Sequence, residues 1–184
     1  QLDLHDKISA RIDKGCQHAT NRPKVFFRAD DIGVPSSRFQ ELIECFQKNN
    51  LPLCLATVPA WLNEIRLKQL RKLTGVNSSQ WCWHQHGRLH RNFEAAGKKQ
   101  EFGPSRSENE IRSSLQKGRK RLESLLDSEF YPVFTPPWNR CGMTTLQALM
   151  DLDFKALSRS RGAMPDSLDK LPDFQVNVDL HTRK

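Results

Sequence analysis

The amino-acid sequence predicts an α/β protein built around a parallel sheet, and three observations lead to this prediction. Short β-branched or aromatic runs alternate about six times with longer segments in which apolar residues recur every three to four positions. No two strand candidates are joined by a tight hairpin turn. Aspartates and histidines follow several of the strand candidates directly. Both a barrel of βα units and a doubly wound open sheet fit this pattern.

Six segments have the composition of buried strands. The first, KVFF, is β-branched and aromatic, and the second, LCLATV, is a short apolar run closed by Pro59. The predicted strands cover residues 24–27, 53–58, 80–84, 132–135, 154–158 and 174–181.

Four helices are predicted between these strands. Ser37 and Gln40 form a capping box at the start of the first helix, whose apolar residues then fall on one face. A second capping box, Ser107 with Glu110, opens the longest helix. The first predicted helix begins at residue 37 and the second covers residues 61–73. The third extends from residue 107 to about residue 127, and the fourth runs from residue 144 to residue 152.

The chain length of 184 residues fits a single domain over residues 1–184, with an apolar content of 37% that allows a substantial core. No apolar run approaches the ~20 residues of a membrane span. The N-terminal stretch is amphipathic and charged, unlike a signal peptide. The five cysteines show no CxxC spacing, so we expect mostly buried, reduced thiols and a cytoplasmic location.

The net charge of +8 raises the hypothesis of a polyanion-binding protein. The densest basic cluster, KGRKR at residues 117–121, lies inside a predicted helix that carries apolar residues at helical spacing. This placement favours a solvated helix face, and nucleic acid is therefore not an expected partner.

Polar side chains follow the predicted strands at the edge where parallel α/β folds place their functional groups. These side chains belong to Asp30 and Asp31 after the first strand, His84, His86 and His90 at the third, residues 135–140 after the fourth, and Asp179 and His181 at the last. We therefore expect the functional site at this edge.

The composition of this set indicates a metal site. Catalytic zinc takes three protein ligands, chiefly imidazole nitrogens and carboxylate oxygens, and leaves one position for water. His86 and His90 are four residues apart, so their rings share a face if the residues after Gly87 form a helix. Asp31 would complete the ligand set, and Asp30 would be free to take a proton.

His84 offers an alternative ligand set. On a strand, His84 and His86 point to the same side and could form the ligand pair of an amidohydrolase-type enzyme acting on a non-sugar amide. That motif normally belongs to the first strand of a longer chain, so we place His84 in the lining of the pocket.

Four segments together resemble the motifs of the polysaccharide deacetylase family, the NodB-homology domains. FFRADD resembles the first motif, which ends in two aspartates, and HGRLH resembles the second, a His-x-x-x-His pair. FTPPW resembles the Pro-rich third motif, and VDLH resembles the last, an apolar strand ending in His. All four occur in the order of the family, from about residue 24 to the C-terminus, which indicates a divergent member.

The resemblance implies a distorted (β/α) TIM-like barrel that removes acetyl groups from N-acetylated sugars with one divalent metal, commonly zinc. By this resemblance, Asp31, His86 and His90 hold the metal. Asp30 is then the base that deprotonates the water attacking the amide.

The resemblance also assigns the remaining roles at the site. The backbone N–H of Trp138 would stabilise the tetrahedral oxyanion, and His181 would protonate the departing amine. Trp138, Pro137, Arg140 and His84 would contact the substrate.

This chain departs from the family pattern at three places. Thr135 stands where the third motif usually carries an arginine, and we expect Arg140 to supply the missing charge. No counterpart of an Asp-Trp motif precedes the last predicted strand, although Asp179 could orient His181. The sequence ends three residues after His181, so we expect the barrel to be incomplete at its C-terminus.

Two further classes of function stay open. A catalytically inactive carbohydrate-binding protein on the same fold would bind sugar through Trp138 and Trp83 without releasing acetate. A polyanion-binding protein would lose binding on charge reversal of Lys117, Arg119 and Lys120, without any change at the histidines.

Overall fold

The computed structural model describes residues 3–18, 24–76 and 78–180, and it contains one five-stranded sheet. The strands follow one another across the sheet in chain order, and all four neighbouring pairs are parallel. The strands are β1 Arg28–Ile32, β2 Leu53–Thr57, β3 Trp81–His86, β4 Phe130–Thr135 and β5 Ala156–Leu157. A parallel sheet with helical crossovers confirms the predicted α/β class.

A helix connects each pair of consecutive strands, as the apolar periodicity predicted, and one further helix, which was not predicted, precedes β1. The helices are α1 Leu4–Gln17, α2 Ser37–Lys48, α3 Glu64–Thr74, α4 Glu108–Leu126 and α5 Met143–Asp151. The capping box of Ser107 and Glu110 is present at the start of α4. At α2, the N-cap is Ser36, whose hydroxyl accepts the N–H of Phe39, so the capping box predicted at Ser37 was placed one residue too late.

Two hydrophobic clusters lie between the sheet and the helices. One joins α2, α3 and the C-terminal half of α4 to the outer face of β2 and β3, where Trp81 and Trp83 are buried. The other joins α4 and α5 to β4, and Phe134 lies within it. These clusters fix the helix side of the sheet, so the alternate strand residues face the inside of the curved sheet.

The first strand lies later in the sequence than we predicted. Residues 24–27 are exposed, with Val25 73% exposed, and pairing with β2 begins at Arg28 opposite Cys54. The apolar run was therefore wrongly taken for the strand, because β1 is made of the charged residues that lead into the site.

The strand predicted over residues 174–181 is not formed in the part that the structure describes. The segment instead makes two isolated parallel bridges, Asp173 with Leu157 and Val176 with Ser160. Val178 is 73% exposed. The apolar alternation in this segment therefore does not correspond to a buried face.

The sheet curls so that its two edges approach each other. The Arg28 guanidinium of β1 donates to the Ser158 carbonyl just after β5, at 3.0 Å. The Phe26 and Phe174 rings lie edge to face with centroids 6.4 Å apart. In the described residues, the result is a small, distorted barrel that the five strands do not close, which agrees with the fold class expected from the sequence.

Among the described helices, none has both the length and the apolar character that crossing a membrane requires.

Candidate metal centre

A bulge in β1 turns two adjacent carboxylates toward the inside of the sheet. Ala29 pairs with Leu55 and Ile32 pairs with Thr57, so two residues of β1 stand opposite one residue of β2. Asp31 adopts a left-handed conformation with a φ of 62°, which aspartate tolerates better than most residues. In a regular strand, Asp30 and Asp31 would point to opposite faces, and the bulge brings both carboxylates to the same side.

Asp31, His86 and His90 form a compact group of ligand atoms. Asp31 Oδ1 lies 3.3 Å from His86 Nε2 and 3.0 Å from His90 Nε2. In the described part of the chain, this is the one group of three or more His, Cys, Asp or Glu residues whose ligand atoms all lie within 4.8 Å of one another. The sequence named these three residues as the metal ligands, and the fold brings them together.

The geometry of these donors fits a bound divalent metal. Ligand atoms arranged tetrahedrally at ~2.0–2.1 Å from zinc are about 3.3 Å apart, close to both measured separations. His86 Nδ1 lies 2.9 Å from the Thr135 carbonyl oxygen, which can only accept a hydrogen bond. The Nδ1–H therefore donates to this carbonyl, and the Nε2 lone pair faces Asp31, the arrangement that orients metal-binding histidines.

The turn after β3, rather than a helix, brings His90 next to His86. Residues 87–90 are not helical, and both Gly87 and His90 have positive φ angles, of 58° and 53°. The predicted helical face for the two histidines was therefore wrong. Their ring centroids nevertheless lie 5.1 Å apart, because the turn reverses the chain toward the strand end.

Glu101 fixes this turn, and sequence reasoning missed its role. Its buried carboxylate accepts the backbone N–H groups of Arg88, Leu89 and His90 at distances of 2.8–3.3 Å. Burial raises the pKa of Glu101, while the three backbone donors act in the opposite direction. No local pattern signals this role, because the residue lies 11 positions after His90 in an irregular loop.

Aromatic rings enclose His90. The ring centroids of Trp61 and Trp138 lie 5.4 and 4.7 Å from that of His90. Burial lowers the pKa of His90, against the opposing effect of the Asp31 carboxylate. A lowered pKa favours the neutral imidazole, which is the form that binds a metal.

His84 lies in the wall of the site and is bonded away from the ligand group. Its Nε2 lies 2.9 Å from Thr135 Oγ1 and its Nδ1 lies 3.3 Å from the Cys82 carbonyl. Burial lowers the pKa of His84 to about 4. This placement agrees with a pocket-lining residue and disfavours the amidohydrolase-type pair of His84 with His86.

Asp30 is held by an arginine that sequence reasoning did not single out. Arg28 Nε and Nη2 donate to Asp30 Oδ1 and Oδ2 at 2.8 and 2.9 Å. We expected Arg140 to supply a charge here, but its guanidinium donates to the Lys99 carbonyl at 3.4 Å. Sequence reasoning missed Arg28 because only the two aspartates of the RADD segment were considered as functional residues.

The PPW segment, residues 136–138, forms the wall of the site next to His90. Pro137 is buried against Gly87, and Trp138 has a left-handed φ of 55° that turns its ring onto His90. Of the residues expected to contact substrate, Trp138 and Arg140 are partly exposed, whereas His84 and Pro137 are buried.

His181, the expected general acid, lies outside the described residues. Trp83 is 1% exposed and packs in the core, so the expected binding of a sugar through Trp83 is wrong.

In the basic cluster of α4, Arg119 contacts Glu123 and the Leu152 carbonyl, and Arg121 donates to the carbonyls of Pro59 and Leu62. These internal bonds weaken the polyanion-binding hypothesis.

No protein-family model matches the sequence. No curated protein matches it closely enough to indicate a relationship.

Solved structures share the fold at low sequence identity. IcaB from Ammonifex degensii has a TM-score of 0.66 and 16% identity, over 90% of this chain and 72% of that chain. The deacetylase PplD from Streptococcus pyogenes, solved with acetate, has a TM-score of 0.56 and 14% identity, over 86% of this chain and 64% of that chain.

A third similar structure belongs to a pseudoenzyme. It is a mutant of BA3943 from Bacillus anthracis, a CE4 family pseudoenzyme whose activity has been restored, with a TM-score of 0.55 and 17% identity. The match covers 76% of this chain and 45% of that chain. The present chain thus spans less than two thirds of PplD and of BA3943. It shares the fold of the deacetylase PplD and of the CE4 family pseudoenzyme BA3943, which confirms, at the level of the fold, its resemblance to the polysaccharide deacetylases.

Proposed function

We propose that this protein is a metal-dependent amide hydrolase that removes N-acetyl groups from a carbohydrate. The observation that carries the proposal is the group of Asp31, His86 and His90, with Oδ1–Nε2 separations of 3.0 and 3.3 Å. The adjacent Asp30 carboxylate supports it, because hydrolysis needs a proton acceptor beside the metal. The likeness of the fold to CE4 deacetylases supports the substrate class.

Zinc is the metal that we propose for this site. Two imidazoles and one carboxylate are a ligand set of catalytic zinc, and they leave one position open. When bound, such a metal would lower the pKa of a coordinated water to ~7 and so supply hydroxide at neutral pH.

Residues of the chain would then carry out the proton transfers and stabilise the oxyanion. Asp30 would take the proton that the attacking water gives up as its oxygen adds to the acetyl carbonyl. The backbone N–H of Trp138 would donate to the oxyanion that develops there. His181 would protonate the departing amine, so that the products are acetate and the free amino sugar.

The first experiment measures the metal content of tag-free protein, purified without chelator, by plasma mass spectrometry. We expect about one zinc per chain in the wild type and almost none in His86→Ala. His84→Gln is the matched control, because His84 lies on the same strand outside the ligand group, and it should keep its zinc. A wild type that stays free of metal after incubation with zinc would contradict the proposal.

The second experiment measures acetate released from N-acetylglucosamine oligosaccharides by the zinc-loaded protein. We expect release by the wild type and a loss of ~100-fold or more in kcat for Asp30→Asn, which keeps the shape of the side chain but removes the base. Equal rates for the two proteins would show that Asp30 is not the base.

A second candidate is a carbohydrate-binding protein without turnover. Thr135 favours it, since this residue stands where the family pattern has an arginine, and its hydroxyl is bonded to His84. The restored pseudoenzyme BA3943 also shows that the fold does not decide turnover. Binding of oligosaccharide without acetate release, in protein that holds its zinc, would select this candidate.

A further inference from the structure

We propose that Arg28 is the positioning residue that sets the orientation of Asp30 and couples it to the loop carrying Trp138. This inference rests on the proposed function, because it assigns Asp30 the role of base. It assigns to Arg28, in β1, the charge that we expected from Arg140.

All five N–H donors of the Arg28 guanidinium are used. Arginine has five N–H donors in a rigid, planar arrangement, and Arg28 makes five hydrogen bonds. Two reach the Asp30 carboxylate, two reach the carbonyl and hydroxyl of Ser158, and one reaches Asn139 Oδ1 at 2.7 Å. The Ser158 hydroxyl donates onward to the Phe174 carbonyl, so it can accept from Arg28.

The Arg28 guanidinium and the Asp30 carboxylate differ in their exposure to solvent. The Arg28 side chain is 5% exposed, whereas that of Asp30 is 33% exposed. The arginine is therefore fixed in the wall of the barrel, and the carboxylate that it holds reaches the opening. A bidentate pair of this kind leaves the carboxylate little rotational freedom.

Arg28 also connects Asp30 to the residue that follows the PPW segment. Arg28 Nη2 bonds both Asp30 Oδ2 and Asn139 Oδ1. Asn139 has a φ of 58° and follows Trp138, whose φ is 55°. This conformation is costly for tryptophan and is tolerated better by asparagine, and the bond from Arg28 to Asn139 helps to hold the segment in place. One guanidinium thus links the base to the segment that carries the oxyanion donor.

The kinetic test compares Arg28→Ala and Arg28→Lys with Arg112→Ala, which removes an exposed arginine paired with Asp151. We expect kcat for acetate release from N-acetylglucosamine oligosaccharides to fall about 100-fold in both Arg28 variants. KM and zinc content should stay within about threefold of the wild type, since Arg28 touches no ligand. Lysine should fail as a substitute, because it has three donors and no planar fork.

Two further measurements separate positioning from general stability. Added guanidinium should restore at least tenfold of the lost kcat in Arg28→Ala and nothing in Arg112→Ala. The double variant Arg28→Ala/Asp30→Asn should lose clearly less than the product of the two single losses, because Arg28 acts in large part through Asp30. A kcat in Arg28→Ala within threefold of the wild type, or additive losses in the double variant, would overturn the inference.

A structural measurement decides the inference if the wild type releases no acetate and the proposed function fails. Protein labelled with 5-fluorotryptophan gives a ¹⁹F signal for Trp138, assigned through Trp138→Phe. We expect this signal to shift or broaden in Arg28→Ala and to stay unchanged in Arg112→Ala. An unchanged Trp138 signal in folded Arg28→Ala would overturn the coupling, whatever the activity of the protein.

Discussion

The buried carboxylate of Glu101 accepts the backbone N–H of His90 at 3.0 Å, and this bond sets the position of a proposed metal ligand from outside the proposed ligand group. The same carboxylate accepts the N–H groups of Arg88 and Leu89. Three donors converging on one carboxylate define the path of the chain between β3 and His90. The candidate metal site is thus built on a turn whose shape depends on a residue in a separate loop.

We expect Glu101→Gln to weaken zinc binding by about 10–100-fold, the usual effect of losing a group that orients a ligand. The amide offers one accepting oxygen, and its NH₂ group would face N–H donors. Zinc affinity can be measured by competition with a chromophoric chelator. Glu94→Gln is the matched control, because Glu94 lies in the same loop and bonds Ser105 instead. Equal affinities for the two variants would contradict the role of Glu101.

Gly87→Ala should destabilise the protein by about 3 kcal/mol, from a left-handed φ and a steric clash together. A Cβ at this position would lie 2.3 Å from Glu101 Oε2 and 2.6 Å from Pro137 Cγ. Gly97 also has a positive φ, but a Cβ there would have no neighbouring atom within 4 Å, so Gly97→Ala should cost about 1 kcal/mol. Urea unfolding of both variants measures the difference, and similar losses would show that the clash is relieved.

His84 should make the stability of the metal-free protein depend on pH. Its pKa falls from 6.5 to about 4 in the folded state, mainly through burial. The unfolded chain therefore binds more protons between these values, and the stabilisation is complete above pH 6.5 and lost as the pH falls toward 4. We expect a loss of about 2 kcal/mol between pH 7.5 and pH 5.

Urea unfolding of chelator-treated wild type and His84→Gln at these two pH values isolates this contribution. The glutamine does not titrate, so the variant should lose about 2 kcal/mol less than the wild type over the same range. An identical pH dependence in both proteins would assign the effect to other groups.

Trp138→Ala should raise KM for oligosaccharide about tenfold, equivalent to about 1.4 kcal/mol of binding. The Trp138 ring is partly exposed beside His90, and an aromatic face is a suitable contact for a sugar ring. Because the backbone N–H remains, kcat should change little. Trp61→Ala is the comparison, since that ring also packs on His90. A fall in kcat with KM unchanged would contradict a contact made mainly in the ground state.

Much of the fold could be predicted from the sequence. The apolar periodicity placed four helices close to their observed positions, because packing against one sheet face imposes that period. The strand β1 was misplaced because its residues are charged, and propensity favoured the neighbouring apolar run at 24–27. The last predicted strand failed because its alternation matches no buried face.

For the candidate site, residue types and their positions along the sequence were enough to predict a ligand set. Asp31, His86 and His90 could be named as ligands from residue type and their places at strand ends. Only the tertiary structure decided that Asp30 and Asp31 share a side, that Glu101 shapes the turn before His90, and that Arg28 holds Asp30. These features depend on a bulge and on contacts between residues up to 130 positions apart. Local periodicity carries no information on such contacts, because they arise only when the sheet curls and brings its edges together.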